Sequence, residues 1–224
     1  MVYICAGMPR SGSTWMFNAV RLLLKNAALP DFASGFVDDK EELLQHGTAL
    51  IKLHRFRPDL AAKADVVLTS HRDLRDVAAS AHRIFHTEFS TAAISGWVRE
   101  QVKWAQFAAY DLHYENLLVD RLSEVKKIAA SLRLPPQTLE QLPYEAILHQ
   151  VEGEKFGKKV SETTPHDAVN LMHKGHITDG RHGSWKGRVP DEFVSVIERQ
   201  FRGWMATKGY LSPPAELAVR YANL

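Results

Sequence analysis

Gly7-Met8-Pro9-Arg10-Ser11-Gly12-Ser13-Thr14-Trp15 is the stretch whose reading decides the fold. Before it, Val2-Tyr3-Ile4-Cys5-Ala6 has the composition of a short strand, and after it apolar residues continue at helical spacing through Leu24. Strand, glycine-bearing turn and helix in that order aim several backbone N–H groups and a helix N-terminus at an anion. Gly7 and Gly12 permit the tight turn and a close approach to a ligand. Ser13 and Thr14 add hydroxyl donors, and Arg10 adds a permanent positive charge. The stretch reads as a phosphate cradle, with an ordinary strand-to-helix turn under a serine N-cap as the plainer alternative.

The spacing also matches the nucleotide-binding pattern G-x-x-x-x-G-K-[ST], with one departure. Ser13 stands where a nucleoside triphosphatase carries the lysine that reaches the terminal phosphates, and the cation sits inside the loop at Arg10. A triphosphate with Mg²⁺ would be short of charge here. A nucleotide with a single 5′-phosphate would not.

The 224 residues suit a single domain spanning 1–224. An apolar content of 45% is enough for a substantial core. The net charge of +2 argues against broad nucleic-acid binding while leaving room for a local anion pocket. A lone cysteine, Cys5, excludes an intrachain disulfide and favours a reducing compartment; inside the first strand its role is packing. There is no run of about 18 apolar residues, hence no expected membrane span. The opening residues lack the pattern of a cleaved leader, so a cytoplasmic protein is expected.

Strands are expected at Ala49-Leu50-Ile51-Lys52-Leu53, at Val66-Val67-Leu68-Thr69-Ser70 and, briefly, at Leu112-His113-Tyr114. Their nearly continuous apolar character suits strands covered on both faces of a parallel sheet. The stretch 26–47 reads as loop with a short helix near 40–45. Helices are expected from Asp73 or Asp76 to about Phe85, over 91–110, near 122–132 and 137–149, and from Pro190 to about Lys208. The intervening stretch 151–184 is rich in Gly, Lys, His, Thr and Asp and reads as an irregular binding segment. Ser212-Pro213-Pro214 sets off a short tail. Alternating strands and helices indicate an α/β fold with a central, mainly parallel sheet flanked by helices in three layers.

Ligands of such sheets bind at the carboxyl ends of the strands. The first strand ends in the glycine loop, the second at His54 and the third at Arg72, and these should converge on one crevice. Arg72 before a helix and Ser80 on it suit a second phosphate, although the run also reads as a capped, solvated amphipathic helix. His82 and His86 have zinc-ligand spacing but no apparent third ligand, so no metal is expected. Phe85, Trp97, Trp104 and Phe107 at helical spacing read as core.

In order along the chain, five segments resemble elements of the PAPS-dependent sulfotransferases (PAPS is 3′-phosphoadenosine 5′-phosphosulfate). Gly7 to Trp15 resembles their 5′-phosphosulfate loop. Lys52-Leu53-His54 is similar to the Lys-x-His that carries the catalytic histidine. Arg72 and Ser80, with Asp76-Val77 between them, resemble the 3′-phosphate motif. Tyr114-Glu115-Asn116-Leu117 is similar to Tyr-Glu-Asp-Leu, whose tyrosine lies near the adenine. Gly183-Ser184-Trp185-Lys186 resembles the late Gly-Asp-Trp-Lys element.

The resemblance implies a P-loop-like fold and a cofactor site made of Arg10, Ser11, Gly12, Ser13, Thr14, Trp15, Arg72, Ser80, Tyr114, Gly180, Arg181 and His182. It implies His54, Arg10 and Lys52 as the catalytic group, PAPS as co-substrate, PAP (3′-phosphoadenosine 5′-phosphate) as product and a small-molecule acceptor. Two departures stand out. The family usually has lysine where Arg10 stands; arginine keeps its proton and can stabilise a leaving phosphate, but is poorly suited to protonating it. The Arg-Lys-Gly before the late element is replaced by Thr178-Asp179-Gly180, with Arg181 and His182 as shifted sources of charge. The dimerisation pattern of the family is not evident near Val189-Pro190, which leaves the oligomeric state open. The implied reaction is transfer of a sulfuryl group from PAPS to a hydroxyl rather than an amine, with His54 as base. Its rivals are a kinase using ATP and Mg²⁺ and a nucleotide-binding module without catalysis.

Overall fold

The apolar runs of the first half of the chain assemble into one sheet. In the computed structural model, which describes residues 1–154, 166–173 and 180–212, the strands are β1 (Val2–Cys5), β2 (Phe32–Phe36), β3 (Thr48–Lys52), β4 (Val66–His71) and β5 (Ala108–His113). Their order is β2-β3-β1-β4-β5. Every pairing is parallel, so all C-terminal ends lie along one edge. The helices between them are α1 (Ser13–Asn26), α2 (Lys40–Leu43), α3 (Pro58–Ala61), α4 (Leu74–Phe85), α5 (Thr91–Ala105), α6 (Arg121–Ser131), α7 (Pro136–Gln141) and α8 (Tyr144–Gly153). α9 (Asp191–Gln200) and α10 (Arg202–Thr207) follow late in the chain. The described residues fall into two compact units, one within Met1–Arg72 and Gly96–Gly180, the other within Asp73–Ser95 and Arg181–Leu224.

The first unit holds the sheet. Side chains alternate along a strand, and here both faces are covered. Tyr3, Cys5, Leu50 and Leu68 pack with Phe17 and Val20 of α1, Ile128 of α6 and Ile147 of α8. Ile4, Ala6, Ala49, Ile51 and Val67 pack on the opposite side with Leu43, Leu60 and Trp104. Two-sided burial explains why the strand sequences are continuous apolar runs. Cys5 is fully buried, and that burial pushes its thiol pKa up.

Three expectations shift in this unit. β2 lies in a stretch read as loop: Phe-Ala-Ser-Gly-Phe is a mostly half-exposed edge strand without β-branched residues, so its sequence carries little strand signal. The helix expected to reach Tyr110 stops at Ala105, because residues 108–113 pair with β4 instead. There the Tyr110 hydroxyl donates to the buried Glu124 carboxylate. The helix expected over 137–149 divides into α7 and α8 at extended Leu142, just before Pro143, since proline disfavours helical geometry in the residue before it. Of the irregular stretch, 155–165 and 174–179 lie outside the described residues, as do Pro213 and Pro214.

The second unit is organised by Asp73 and Asp76. Asp73 caps α4, accepting a hydrogen bond from the Arg75 amide at 2.9 Å. Fully buried Asp76 accepts from the Gly183 amide at 2.8 Å and from the Ser184 hydroxyl and Trp185 amide at 3.0 Å. Arg75 forks onto Asp73, reaches Glu198 and lies 4.6 Å over the Trp185 ring. Ala79, Val189 and Val194 form its apolar centre with Phe89 and Phe193. The helix expected from Pro190 to Lys208 is interrupted at Phe201, which separates α9 from α10. Among the described residues no helix is long and apolar enough to cross a membrane.

Ile51 is fully buried in a central strand. Its replacement by alanine should destabilise the protein by about 2–5 kcal/mol, read as a lower urea midpoint with an unchanged slope.

Candidate active site

The loop after β1 runs over the end of β4. The Met8 amide donates to the Ser70 carbonyl at 3.0 Å, extending the pairing of the two strands. A Cβ on Gly7 would stand 2.0 Å from the Ser70 hydroxyl and 2.6 Å from Ser13 Cβ, so only glycine fits. Arg10 (φ 63°) and Gly12 (φ 80°) both take left-handed backbone to complete the turn. For Arg10 that geometry is strained, as is common at ligand-binding turns. Gly12 starts α1 and no side chain caps it, so the serine-cap alternative is not what is observed. The first amides of α1 lie at the positive end of the helix dipole with no side-chain cap from Gly12. The Ser11 hydroxyl is turned inward, donating to the Met8 carbonyl at 2.6 Å and lying 2.7 Å from the Ser70 hydroxyl.

β3 delivers the next two groups. The Lys52 ammonium is 3% exposed and donates to Thr14 Oγ1 at 2.5 Å. Burial pulls its pKa down to about 7, with Arg10 adding to the effect and Cys5 opposing it. His54 Nδ1 lies 2.6 Å from the Gly7 carbonyl. A carbonyl only accepts, so Nδ1 carries the hydrogen and the lone pair of the neutral ring sits on Nε2. Burial, then the Lys52 charge, lowers the imidazole pKa to about 4; the Gly7 carbonyl offsets part of this, while His173 and Arg10 add to the lowering.

At the end of β4, Arg72 is buried and its guanidinium lies 4.1 Å over the Tyr114 ring, a cation–π geometry. The Tyr114 hydroxyl donates to the Gly180 carbonyl at 2.9 Å. The same ring closes on the glycine loop: a Cβ on Gly12 would be 2.9 Å from Tyr114 Cδ2. Trp15 Nε1 is buried without a hydrogen-bond partner among the described residues. A buried indole N–H left unmatched beside an uncapped helix start is what a site shaped for a polar ligand leaves behind.

The first unit thus brings together Arg10, Gly12, Ser13, Thr14, Trp15, Lys52, His54, Arg72, Tyr114 and Gly180 near the C-terminal ends of β1, β3, β4 and β5. Ser80, Arg181 and His182 belong to the second unit. Ser80 is buried on α4, whereas Arg181 and His182 are exposed, with His182 Nδ1 3.7 Å from the Asp76 carboxylate. Thr178 and Asp179 lie outside the described residues. His82, read as half of a zinc pair, stacks on Phe89 and holds the Thr87 carbonyl at 2.6 Å.

Sequence reasoning missed Phe36, His166 and His173. Phe36 ends the unrecognised β2, with its ring centroid 6.3 Å from that of His54. His166 is 5.7 Å from Phe36 and 5.9 Å from His173. Nothing in the local sequence marks these histidines, since their place is set by contacts remote in the chain.

Lys52 also sets a pH dependence. Between a folded pKa of about 7 and the ordinary 10.5, the unfolded chain holds a proton that the folded chain lacks, so stability rises with pH across that window. Lys52→Met should raise the melting temperature most at or below pH 7, and its advantage over the parent should shrink as the pH approaches 10. Scanning calorimetry across that range checks both.

No family model matches the chain, and no curated protein sequence does so. Solved structures match over nearly all of it. The mouse sulfotransferase SULT7A1 complexed with PAP has a TM-score of 0.59 at 15% identity, covering 100% of this chain and 88% of that one. A retinol dehydratase in complex with retinol and PAP has a TM-score of 0.55 at 16% identity, covering 95% and 83%. A retinol dehydratase with androsterone and PAP has 0.54 at 17% identity, covering 91% and 80%. The five-stranded parallel sheet with helices on both faces is the α/β fold of these PAP-bound proteins.

Proposed function

We propose that this chain is a PAPS-dependent sulfotransferase that moves a sulfuryl group to a hydroxyl of a small-molecule acceptor. The observation that carries the reading is the junction of three strand ends in the first unit: the uncapped glycine loop, Lys52 with His54, and Arg72 with Tyr114. It is supported by a fold shared with proteins crystallised with PAP. The loop amides, Arg10, Ser13 and Thr14 would hold the 5′ anionic group of the nucleotide. Arg72 would hold its 3′-phosphate, with Trp15, Tyr114 and Gly180 on the adenine side. The inward Ser11 hydroxyl shapes the loop, and its contribution to the ligand is the backbone amide.

PAPS supplies a sulfuryl group on a phosphate that leaves as the acceptor oxygen binds sulfur. The chain's own residues position both sides and manage charge and protons. His54 Nε2 takes the acceptor's proton, a contribution on the order of 10²–10⁴-fold. Its ring is already oriented, because the Gly7 carbonyl holds the other nitrogen. Arg10, Lys52 and the loop amides stabilise charge that develops on the departing phosphate. An anion beside Lys52 and His54 raises both pKa values, so the imidazole becomes a stronger base when the donor is in place.

Thermal shift tests the reading. PAP at about 100 times its dissociation constant should stabilise the protein by about 2.7 kcal/mol, and ATP with Mg²⁺ should not. The reverse result would favour a kinase and remove the proposal. His54→Ala should keep PAP affinity within about twofold while lowering turnover by about 10²–10⁴; turnover equal to the parent's would mean that another group accepts the proton.

A further inference from the structure

The sheet face that packs on Trp104 of α5 changes character toward its C-terminal end. Ile4, Ile51 and Val67 make it apolar. Further along β4 and β5 the paired residues are polar, Thr69 beside Asp111 and His71 beside His113. Thr69, His71 and Gln101 of α5 are all buried. The Thr69 hydroxyl donates to the Asp111 carboxylate at 2.7 Å, and Gln101 Nε2 reaches its two oxygens at 3.3 and 3.4 Å. His71 Nε2 lies 3.5 Å from the same carboxylate. The His71 and His113 rings meet edge-on with centroids 4.9 Å apart, and His113 Nε2 lies 3.1 Å from Glu115. Asp111 and Glu115 thus stand at the two ends of a pair of touching imidazoles.

Buried polar groups are costly unless matched, and matched ones hold a single orientation where apolar groups could slide. What lies in front of this layer gives the orientation a use. Arg72 directly follows His71, and Tyr114 directly follows His113. Successive side chains along a strand point to opposite faces, and Tyr114 packs against the core on the other side of the sheet, with residues of α1. There its ring carries the Arg72 guanidinium at 4.1 Å, and its hydroxyl donates to the Gly180 carbonyl at 2.9 Å. Both members of this clamp sit one residue past the last paired positions of β4 and β5. Their backbones are therefore held from behind, at residues 71 and 113, by the imidazole layer.

We propose that His71, Asp111, His113 and Glu115 are positioning residues for the 3′-phosphate of the nucleotide, acting through Arg72 and Tyr114. This deepens the sulfotransferase reading and rests on it. A guanidinium recognises phosphate through a planar fork, which discriminates only when its plane is fixed. Fixing that plane in the free protein leaves less side-chain ordering for the ligand to supply, so binding is tighter. The four residues set the angle between the Tyr114 ring and the guanidinium on it. The 5′ end of the nucleotide, placed at the glycine loop after β1, does not depend on them.

The test measures, by calorimetry on the full chain, the binding of PAP and of adenosine 5′-phosphate, which lacks the 3′ group. PAP that fails to bind the parent protein overturns the underlying reading before any variant is made. His113→Phe keeps a ring against His71 and removes the nitrogen beside Glu115. It should weaken PAP by about tenfold, the scale of one lost polar interaction, and leave adenosine 5′-phosphate within about twofold. In an Arg72→Ala background the same substitution should change PAP affinity by less than about twofold, because the group it positions is gone. Glu115→Gln, which keeps the side-chain volume, should follow the same pattern and decides the matter if His113→Phe does not fold. Equal losses for the two nucleotides, or an equal loss of PAP with and without Arg72, would reduce the layer to a structural role and overturn the proposal. PAP affinity left unchanged by both substitutions would overturn it too.

Discussion

The close passage of Gly7 over Ser70 is the contact on which the arrangement of the site depends. β1 lies between β3 and β4, so the chain leaving β1 must turn at the edge where its two neighbours also end. The missing side chain lets the turn sit against the Ser70 hydroxyl, where a Cβ would be only 2.0 Å away. From that position the Gly7 carbonyl meets His54 Nδ1 at 2.6 Å. One residue thus joins the loop to β4 on one side and to the imidazole after β3 on the other. The backbone turn that leads into α1 also sets the tautomer of His54, so both features are fixed by the same short piece of chain.

Electrostatics then sets the charge state of the groups at this junction. Arg10, Lys52 and His54 are mutually repulsive when all are charged, and burial penalises the charged forms further. The protein relieves this by lowering Lys52 to about 7 and His54 to about 4. The two groups respond usefully to an arriving anion because they begin at different depths. Lys52, poised near neutrality, would gain a proton beside an anion. His54 rises from a low starting value, so it gains basicity while still resting in its neutral form at physiological pH. The Thr14 hydroxyl, accepting from Lys52 at 2.5 Å, keeps the ammonium aligned with the start of α1.

The parts of the fold visible in the residues were those under two-sided burial. β1, β3 and β4 are covered on both faces and their sequences are continuous apolar runs, so period and composition agree. β2 was hidden because an edge strand has one neighbour, and Ala33, Ser34 and Gly35 carry no strand preference. Residues 108–110 were read as helix because Ala108 and Ala109 favour it. Pairing with β4, a contact remote in sequence, decides otherwise. The divided helices at Pro143 and Phe201 show local breaks overriding a longer amphipathic pattern.

The residues at the strand ends are legible for a related reason: their places are set by backbone. A glycine loop, a strand end and a helix start have fixed local geometry, so Gly7, Gly12, Lys52, His54 and Arg72 could be placed once the strand order was inferred. Residues 166–173 follow another rule. These residues have no periodicity, and they are seated by Asn18 donating to the Asn170 carbonyl and by Asn170 donating to Glu154, with Arg21 pairing both Asn18 and Glu154 from α1. A buried polar network of this kind tolerates little change in geometry, because each unpaired member carries a desolvation penalty. It is therefore a means of holding side chains in one orientation without relying on an apolar core. The glycine loop and the 166–173 turn are therefore held by separate means, the first by the approach of Gly7 to Ser70 and the second by hydrogen bonds to α1 and Glu154.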